Sequence, residues 1–113
     1  MIPAAFAYER AGSVDEALAM LGSDEDAKLL AGGHSLIPLL RLRFARPSKL
    51  IDIGRLAELR YVREDGDRIA IGALTRYADL VRDPVLAAHC PLISEAAAGI
   101  GDAQVRHRGT IGG

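Results

Sequence analysis

The feature that most constrains this chain is a double glycine between two apolar segments. Residues 27–31 form a largely apolar run typical of a buried strand, and residues 35–44 have the apolar spacing of a helix. Gly32 and Gly33 permit backbone conformations with positive φ and let a ligand approach the main chain. Ser35 is placed to cap the helix, whose free N–H groups would point back at the turn. Such a turn favours a phosphate or pyrophosphate, and therefore indicates a nucleotide cofactor.

Three better-known motifs do not fit this glycine turn. A Walker A loop needs a lysine before its Ser or Thr, and the turn has none. The dinucleotide fingerprint G-x-G-x-x-G has a different glycine spacing. A nucleophile elbow needs a second glycine two residues after its serine, where this chain has Ile37. A kinase and a serine hydrolase are therefore disfavoured, whereas a phosphate site and a plain connection both remain open from the turn alone.

Composition excludes several other classes of protein. The 14 basic and 15 acidic residues leave a net charge of −1, which argues against nucleic-acid binding through bulk positive charge. Aromatic residues are 4% of the chain and Trp is absent, so few side chains could stack on bases. No apolar run approaches the roughly 18 residues of a membrane span, and residues 1–6 lack the basic region of a secretory signal. The single Cys90 cannot form an internal disulfide, so we expect a cytoplasmic protein.

The first half of the chain alternates strand and helix patterns. Ser13 and Glu16 have the spacing of a capping box at the start of the first helix, and Gly22 ends that helix. Strands joined through helices favour a small, largely parallel sheet of βαβαβ order. The predicted strands are residues 4–8, 27–31 and 50–53, and the predicted helices are residues 14–21 and 35–44.

The second half has a different pattern. Residues 60–63 and 68–71 are predicted to pair as a hairpin around Asp65 and Gly66. Thr75 and Asp83 are predicted to cap the next two helices, and a third covers residues 92–98. Residues 102–108 are polar and basic, and lead to a second glycine turn. The change of pattern places a subdomain boundary near residues 54–59.

The two glycine turns together resemble the FAD-binding subunits of molybdenum hydroxylases. Residues 31–38, AGGHSLIP, are similar to the first flavin loop of that family, and residues 50–53 are similar to the strand that follows. Residues 104–106 and 109–113 are similar to the second flavin loop and its approach. The histidine in the first loop is most similar to the carbon monoxide dehydrogenase type. Members of the xanthine dehydrogenase type remain possible.

The resemblance implies an α+β protein with the PCMH-type FAD-binding fold. Residues 1–54 would form a small βαβαβ FAD-binding subdomain, and residues 55–113 the first part of a larger α+β subdomain. The cofactor pyrophosphate would lie against both turns, each of which we expect to offer backbone N–H donors and no bulky side chain. The implied cofactor-binding residues are Ala31, Gly32, Gly33, His34, Ser35, Leu36, Thr110, Ile111, Gly112 and Gly113. We find no acid–base pair and no metal-ligand spacing, so no catalytic or metal-binding residue is predicted.

The resemblance also implies partner subunits. In the family, electrons leave a molybdopterin-binding large subunit, pass the 2Fe-2S clusters of a small subunit and reach FAD. The family motif continues beyond Gly113, so we expect this chain to be an N-terminal fragment that binds FAD weakly or not at all when isolated. The alternative is a non-enzymatic module that binds a phosphorylated ligand or a protein partner through its glycine turns.

Overall fold

Residues 1–56 fold around a parallel sheet, as the alternation of strands and helices predicts. The order in the sheet is β1-β3-β2, with β3 parallel to both neighbours. Each parallel connection passes through a helix, which confirms the βαβαβ prediction. The elements are β1 (Ala7–Arg10), α1 (Val14–Gly22), β2 (Lys28–Leu30), α2 (Leu36–Arg41) and β3 (Lys49–Asp52).

The central strand β3 supplies the core of this unit. Leu50 and Ile51 are neighbours in sequence, so their side chains point to opposite faces of the sheet. Both are buried, and Ile51 is fully inaccessible to solvent. A parallel strand buried on both faces requires a continuous apolar run rather than an alternating one. The adjacent apolar residues Leu50 and Ile51 at the centre of β3 meet that requirement, so the sequence predicts this strand.

Strand β1 begins later than predicted. The Ala7 N–H donates to the Ser48 carbonyl at 2.9 Å, and the parallel ladder with β3 runs from there. Residues 4–6 therefore precede the strand, and β1 extends to Arg10 instead. The start of β1 depends on which residues of β3 are available for hydrogen bonding. Local sequence patterns do not show this pairing.

The first helix begins with the predicted cap. The Ser13 hydroxyl oxygen accepts a hydrogen bond from the Glu16 N–H at 3.0 Å. The Glu16 carboxylate in turn accepts from the Gly12 N–H at 3.1 Å. This reciprocal pair satisfies N–H groups at the helix start that would otherwise lack partners.

Helix α2 is shorter than predicted, ending at Arg41 rather than near Phe44. Arg43 adopts a left-handed backbone conformation with φ of 59°, which no α-helix can contain. Its side-chain Nε donates to the Ile2 carbonyl at 3.1 Å, a contact between residues distant in sequence. The early end of the helix is therefore associated with a tertiary contact that helical periodicity does not reveal.

Residues 57–113 begin with a single 3-10 turn (Ala57–Leu59) and a two-stranded antiparallel hairpin. The hairpin strands are β4 (Val62–Asp65) and β5 (Arg68–Ile71), and Gly66 in the connecting turn has φ of 64°. This confirms the predicted hairpin, because the tight turn needs a residue that tolerates positive φ. Its first strand, however, lies at residues 62–65 rather than at the predicted 60–63. Four helices follow: α3 (Tyr77–Arg82), α4 (Pro84–His89), α5 (Pro91–Ala98) and α6 (Ala103–Arg108).

One expectation for this half is wrong, and one helix was not predicted. Thr75 does not cap α3, because its hydroxyl instead bonds both the N–H and the carbonyl of Tyr61 at 3.1 Å. Residues 103–108 form a helix, with the Asp102 carboxylate accepting from the Val105 N–H at 2.9 Å as its cap. The apolar stripe of this helix is too short to be recognised by periodicity.

The core of the second unit lies between the hairpin and the helices. Leu80, Leu86 and Ala97 are almost completely buried and come from α3, α4 and α5. Partly buried side chains pack against them, namely Val62, Ile69, Ile71, Tyr77, Cys90 and Ile93. The hairpin and the helices thus share one core.

All 113 residues are described by this structure, a computed structural model of the chain. They divide into two compact units, Met1–Leu56 and Ala57–Gly113. No helix in either unit has the length and apolar character needed to traverse a bilayer.

Asp83→Ala tests the cap of α4. The Asp83 carboxylate accepts from the N–H groups of Val85 and Leu86 at 2.9 and 3.1 Å. Removing it is expected to lower the free energy of unfolding by about 1 kcal/mol. Asp79→Ala is the control, because the exposed pair of Asp79 with Arg82 contributes little. Equal loss of stability in the two variants, measured by chemical denaturation, would contradict the assignment of the cap.

Candidate functional site

The first glycine turn lies at the carboxyl end of a parallel strand. It joins the end of β2 at Leu30 to the start of α2 at Leu36. In open parallel sheets, ligands bind outside the carboxyl ends of the strands, where the connecting turns lie. This segment contains six of the residues predicted to bind the cofactor: Ala31, Gly32, Gly33, His34, Ser35 and Leu36.

The backbone of this turn carries unpaired donors. The N–H groups of residues 32–36 make no hydrogen bond to any carbonyl of the chain. The first internal bond after the glycines runs from the Ile37 N–H to the Gly33 carbonyl, at 2.9 Å. Successive N–H groups left free at a turn leading into a helix are suited to binding an anion.

Gly33 gives the turn its shape. Its φ is +83°, a conformation that side chains with a Cβ rarely adopt. A Cβ built at this position would lie 2.6 Å from Cδ1 of Ile37. Gly32 does not have a positive φ, so the conformational freedom of glycine is required at the second position of the pair.

The predicted cap by Ser35 is wrong. Ser35 already has helical backbone angles, with φ of −101° and ψ of −43°, and its side chain makes no capping hydrogen bond. A capping residue normally has an extended backbone that aims its side chain at the next N–H groups, as Ser13 does. The consequence is that the N–H groups of Ser35 and Leu36 stay unpaired, whereas the Ile37 N–H bonds the Gly33 carbonyl. His34 and Ser35 are both exposed.

The second glycine turn is built differently. Its N–H groups at Ile111 and Gly112 donate to the carbonyls of Thr75 and Ala73, at 3.0 and 2.8 Å. Thr110 lies opposite Arg76 in an isolated antiparallel bridge. The expectation that this turn offers these N–H groups to a ligand is therefore wrong, because the segment pairs with residues 73–77 as a short strand would.

Gly112 packs too closely on its neighbour to carry a side chain. A Cβ at this position would lie 2.6 Å from Cβ and 2.8 Å from Cα of Ala73. Because Cα belongs to the main chain, the clash cannot be relieved by a change of rotamer. Gly112 is thus required for its close contact with Ala73, although residues 111–113 are all exposed.

Thr110 carries the one buried polar side-chain atom without a partner. The residue is 8% exposed, and its Oγ1 has no hydrogen-bond partner. A buried hydroxyl is normally paired, and an unpaired one costs roughly 1–3 kcal/mol. Sequence alone does not show which threonine hydroxyl lacks a partner. The hydroxyl of Thr75, for comparison, is fully paired. The Thr110 hydroxyl therefore has hydrogen-bonding capacity that no group of the chain uses.

The histidines lie apart from one another. His89 Nε2 is 2.6 Å from the Glu64 carboxylate, and His107 Nδ1 is 2.7 Å from the Ala103 carbonyl. His34 is exposed in the first turn. The three histidines therefore do not form a cluster. The unpaired donors of the first turn are backbone N–H groups.

Comparison with known proteins agrees with this geometry. A family model described as the FAD binding domain in molybdopterin dehydrogenase matches residues 4–113. The chain is 56% identical over its whole length to the carbon monoxide dehydrogenase medium chain of Hydrogenophaga pseudoflava, and covers 40% of that protein. It is 49% identical, also over its whole length, to the 6-hydroxypseudooxynicotine dehydrogenase complex subunit alpha of Paenarthrobacter nicotinovorans, covering 38% of it.

A solved structure gives the same result for the fold. The carbon monoxide dehydrogenase of Hydrogenophaga pseudoflava lacking the Mo-pyranopterin moiety matches with a TM-score of 0.96. The match covers 100% of this chain and 40% of that chain, at 56% identity. The chain thus spans about two fifths of the length of these relatives. With its α+β architecture confirmed, the chain belongs to the family of FAD-binding domains of molybdopterin dehydrogenases.

Proposed function

We propose that this chain is part of the flavin subunit of a molybdenum hydroxylase-type dehydrogenase. In this role it binds FAD, through which electrons pass from iron–sulfur clusters to an external acceptor. The support is family membership, together with relatives whose names describe them as medium chains of dehydrogenases. A molybdopterin-binding large subunit and a 2Fe-2S small subunit are the proposed partners, in the cytoplasm. Substrate oxidation takes place on the large subunit.

The observation that carries this proposal is the set of unpaired N–H groups at residues 32–36. Pyrophosphate oxygens accept hydrogen bonds from such groups without needing a charged side chain. We assign residues 31–36 to this role, within an FAD-binding subdomain of residues 1–54. When bound, FAD supplies the electron chemistry, and the protein positions the cofactor and tunes its properties.

The second turn has a different role in this proposal. Residues 110–113 belong to the first part of the second subdomain, residues 55–113. Because its N–H groups at Ile111 and Gly112 are already bonded, the turn binds cofactor through the Thr110 hydroxyl. Gly112 then acts indirectly, by allowing the close packing on Ala73 that fixes the position of Thr110.

Purification of the full-length natural protein that carries this sequence tests the function. We expect a yellow protein that absorbs at about 450 nm and releases FAD on denaturation. The alternative is a module that binds a phosphorylated ligand or a partner protein and has no redox role. A colourless protein that does not bind added FAD would support that alternative and reject a flavin subunit.

His34→Gln tests whether the first turn binds through its backbone. His34 is exposed and the donors of the turn are main-chain N–H groups, so the flavin content is expected to stay within about twofold of wild type. The measurement is the ratio of flavin absorbance to protein absorbance after purification. Complete loss of flavin would show that the imidazole itself binds the cofactor.

A further inference from the structure

Asp52, at the end of β3, connects two neighbouring segments through its side chain. Its Oδ2 accepts a hydrogen bond from the hydroxyl of Tyr8 on β1. Its Oδ1 accepts from the N–H of Gly54 at 2.8 Å. Its backbone carbonyl accepts from the N–H of Ala11, the residue directly after β1, at 3.0 Å. The first strand and the residue after it thus hold both the side chain and the main chain of Asp52.

The segment that Asp52 orders lies against the start of the first glycine turn. The Ile53 N–H donates to the Leu30 carbonyl at 3.0 Å, at the last residue of β2. A Cβ built on Gly54 would lie 3.7 Å from the Ala31 carbonyl oxygen and 3.0 Å from Asp52 Oδ1. Residues 52–54 therefore support the backbone of Leu30 and Ala31 directly before the double glycine.

We propose that Asp52 is a positioning residue for FAD: through Tyr8 and Gly54 it orders residues 52–54, and these fix the direction of the free N–H groups at residues 32–36. This inference rests on the proposed function, in which those groups bind the pyrophosphate. Asp52 acts through the backbone of its neighbours, not by contact with the cofactor. Binding sites depend on such support, because small displacements of donors weaken several hydrogen bonds together.

The chain offers a matched control at the opposite end of the sheet. Asp24 precedes β2, and its carboxylate accepts from the Ser48 hydroxyl at 2.8 Å and from the Asp26 N–H at 3.0 Å. The pattern is the same as at Asp52: one distant hydroxyl and the N–H two residues later. Asp24 lies at the amino end of β2, whereas the glycine turn follows the carboxyl end.

The test compares variants of the full-length protein stripped of FAD and titrated with FAD, at a temperature where each variant is folded. Asp52→Ala is expected to weaken FAD binding about fivefold. Asp52→Asn keeps an oxygen for the Gly54 N–H and is expected to restore most of the affinity. Tyr8→Phe removes one of the two contacts and is expected to fall between wild type and Asp52→Ala. Asp24→Ala is expected to bind FAD as wild type does.

Thermal unfolding without FAD separates positioning from general stability. A midpoint lowered equally in Asp52→Ala and Asp24→Ala, with weaker FAD binding only in Asp52→Ala, supports the inference. Wild-type affinity in Asp52→Ala would overturn it, as would failure of Asp52→Asn to recover affinity. If the wild-type protein itself binds no FAD, the proposed function fails instead, so the two failures are distinguishable.

Discussion

Replacing Gly33 with valine is expected to abolish FAD binding by the full-length protein, with a loss of affinity of at least about 100-fold. Gly33 has φ of +83°, and a β-branched residue avoids this region most strongly. A backbone that relaxes to negative φ redirects the neighbouring N–H groups, so several hydrogen bonds to phosphate are lost together. The new Cβ would also lie 2.6 Å from Cδ1 of Ile37 on α2. Flavin content after purification is the measurement.

Gly66→Val is the matched control for this substitution. Gly66 also has a positive φ, of 64°, but it lies in the hairpin turn and a Cβ there would contact nothing within 4 Å. It therefore imposes a similar backbone strain, roughly 1–3 kcal/mol, away from the glycine turn. We expect lower stability and normal flavin content. Normal flavin content in Gly33→Val would contradict the assignment of the first turn.

Thr110→Val is expected to change stability and FAD affinity in opposite directions. The Thr110 Oγ1 is buried and has no partner within the chain, and valine has nearly the same shape. Without FAD, removing the unpaired hydroxyl is expected to stabilise the protein by about 1 kcal/mol. With FAD, the loss of its hydrogen bond is expected to weaken binding about tenfold. Chemical denaturation and FAD titration measure the two effects separately.

Thr75→Val makes the same substitution at a hydroxyl that is already paired. The Thr75 Oγ1 bonds the N–H and the carbonyl of Tyr61, so its removal is expected to destabilise the protein by roughly 1–3 kcal/mol. A destabilised Thr110→Val with unchanged FAD affinity would contradict the role given to Thr110, because it would show that the hydroxyl stabilises the chain itself.

Local sequence patterns predict much of this fold. The βαβαβ order, the Ser13 and Asp83 caps and the hairpin around Gly66 are confirmed. Each depends on residues that are close in sequence: an apolar period, a cap two or three residues before its N–H, or a glycine in a tight turn. The order of the strands within the sheet cannot be predicted in this way, because three parallel strands can pair in more than one order.

Most of the errors concern groups whose partners are distant in sequence; the exception is the Ser35 cap, which fails because Ser35 itself has helical backbone angles. The hydroxyl of Thr75 bonds Tyr61, and the N–H groups of Ile111 and Gly112 bond carbonyls of residues 73–75. A sequence shows that a turn contains glycines, but it does not show which of its N–H groups are already paired. For the same reason the unpaired Thr110 hydroxyl and the contacts of Asp52 emerge only from the structure.

Amide hydrogen exchange of the full-length protein, with and without FAD, tests the central claim most directly. Residues 32–36 have N–H groups with no partner in the chain, so without FAD a peptide covering them is expected to exchange rapidly. Saturating FAD is expected to slow the exchange of these amides strongly, while those in the hairpin turn at Gly66 stay unchanged. Rapid exchange at residues 32–36 in an FAD-saturated protein would contradict the claim that this turn binds the cofactor.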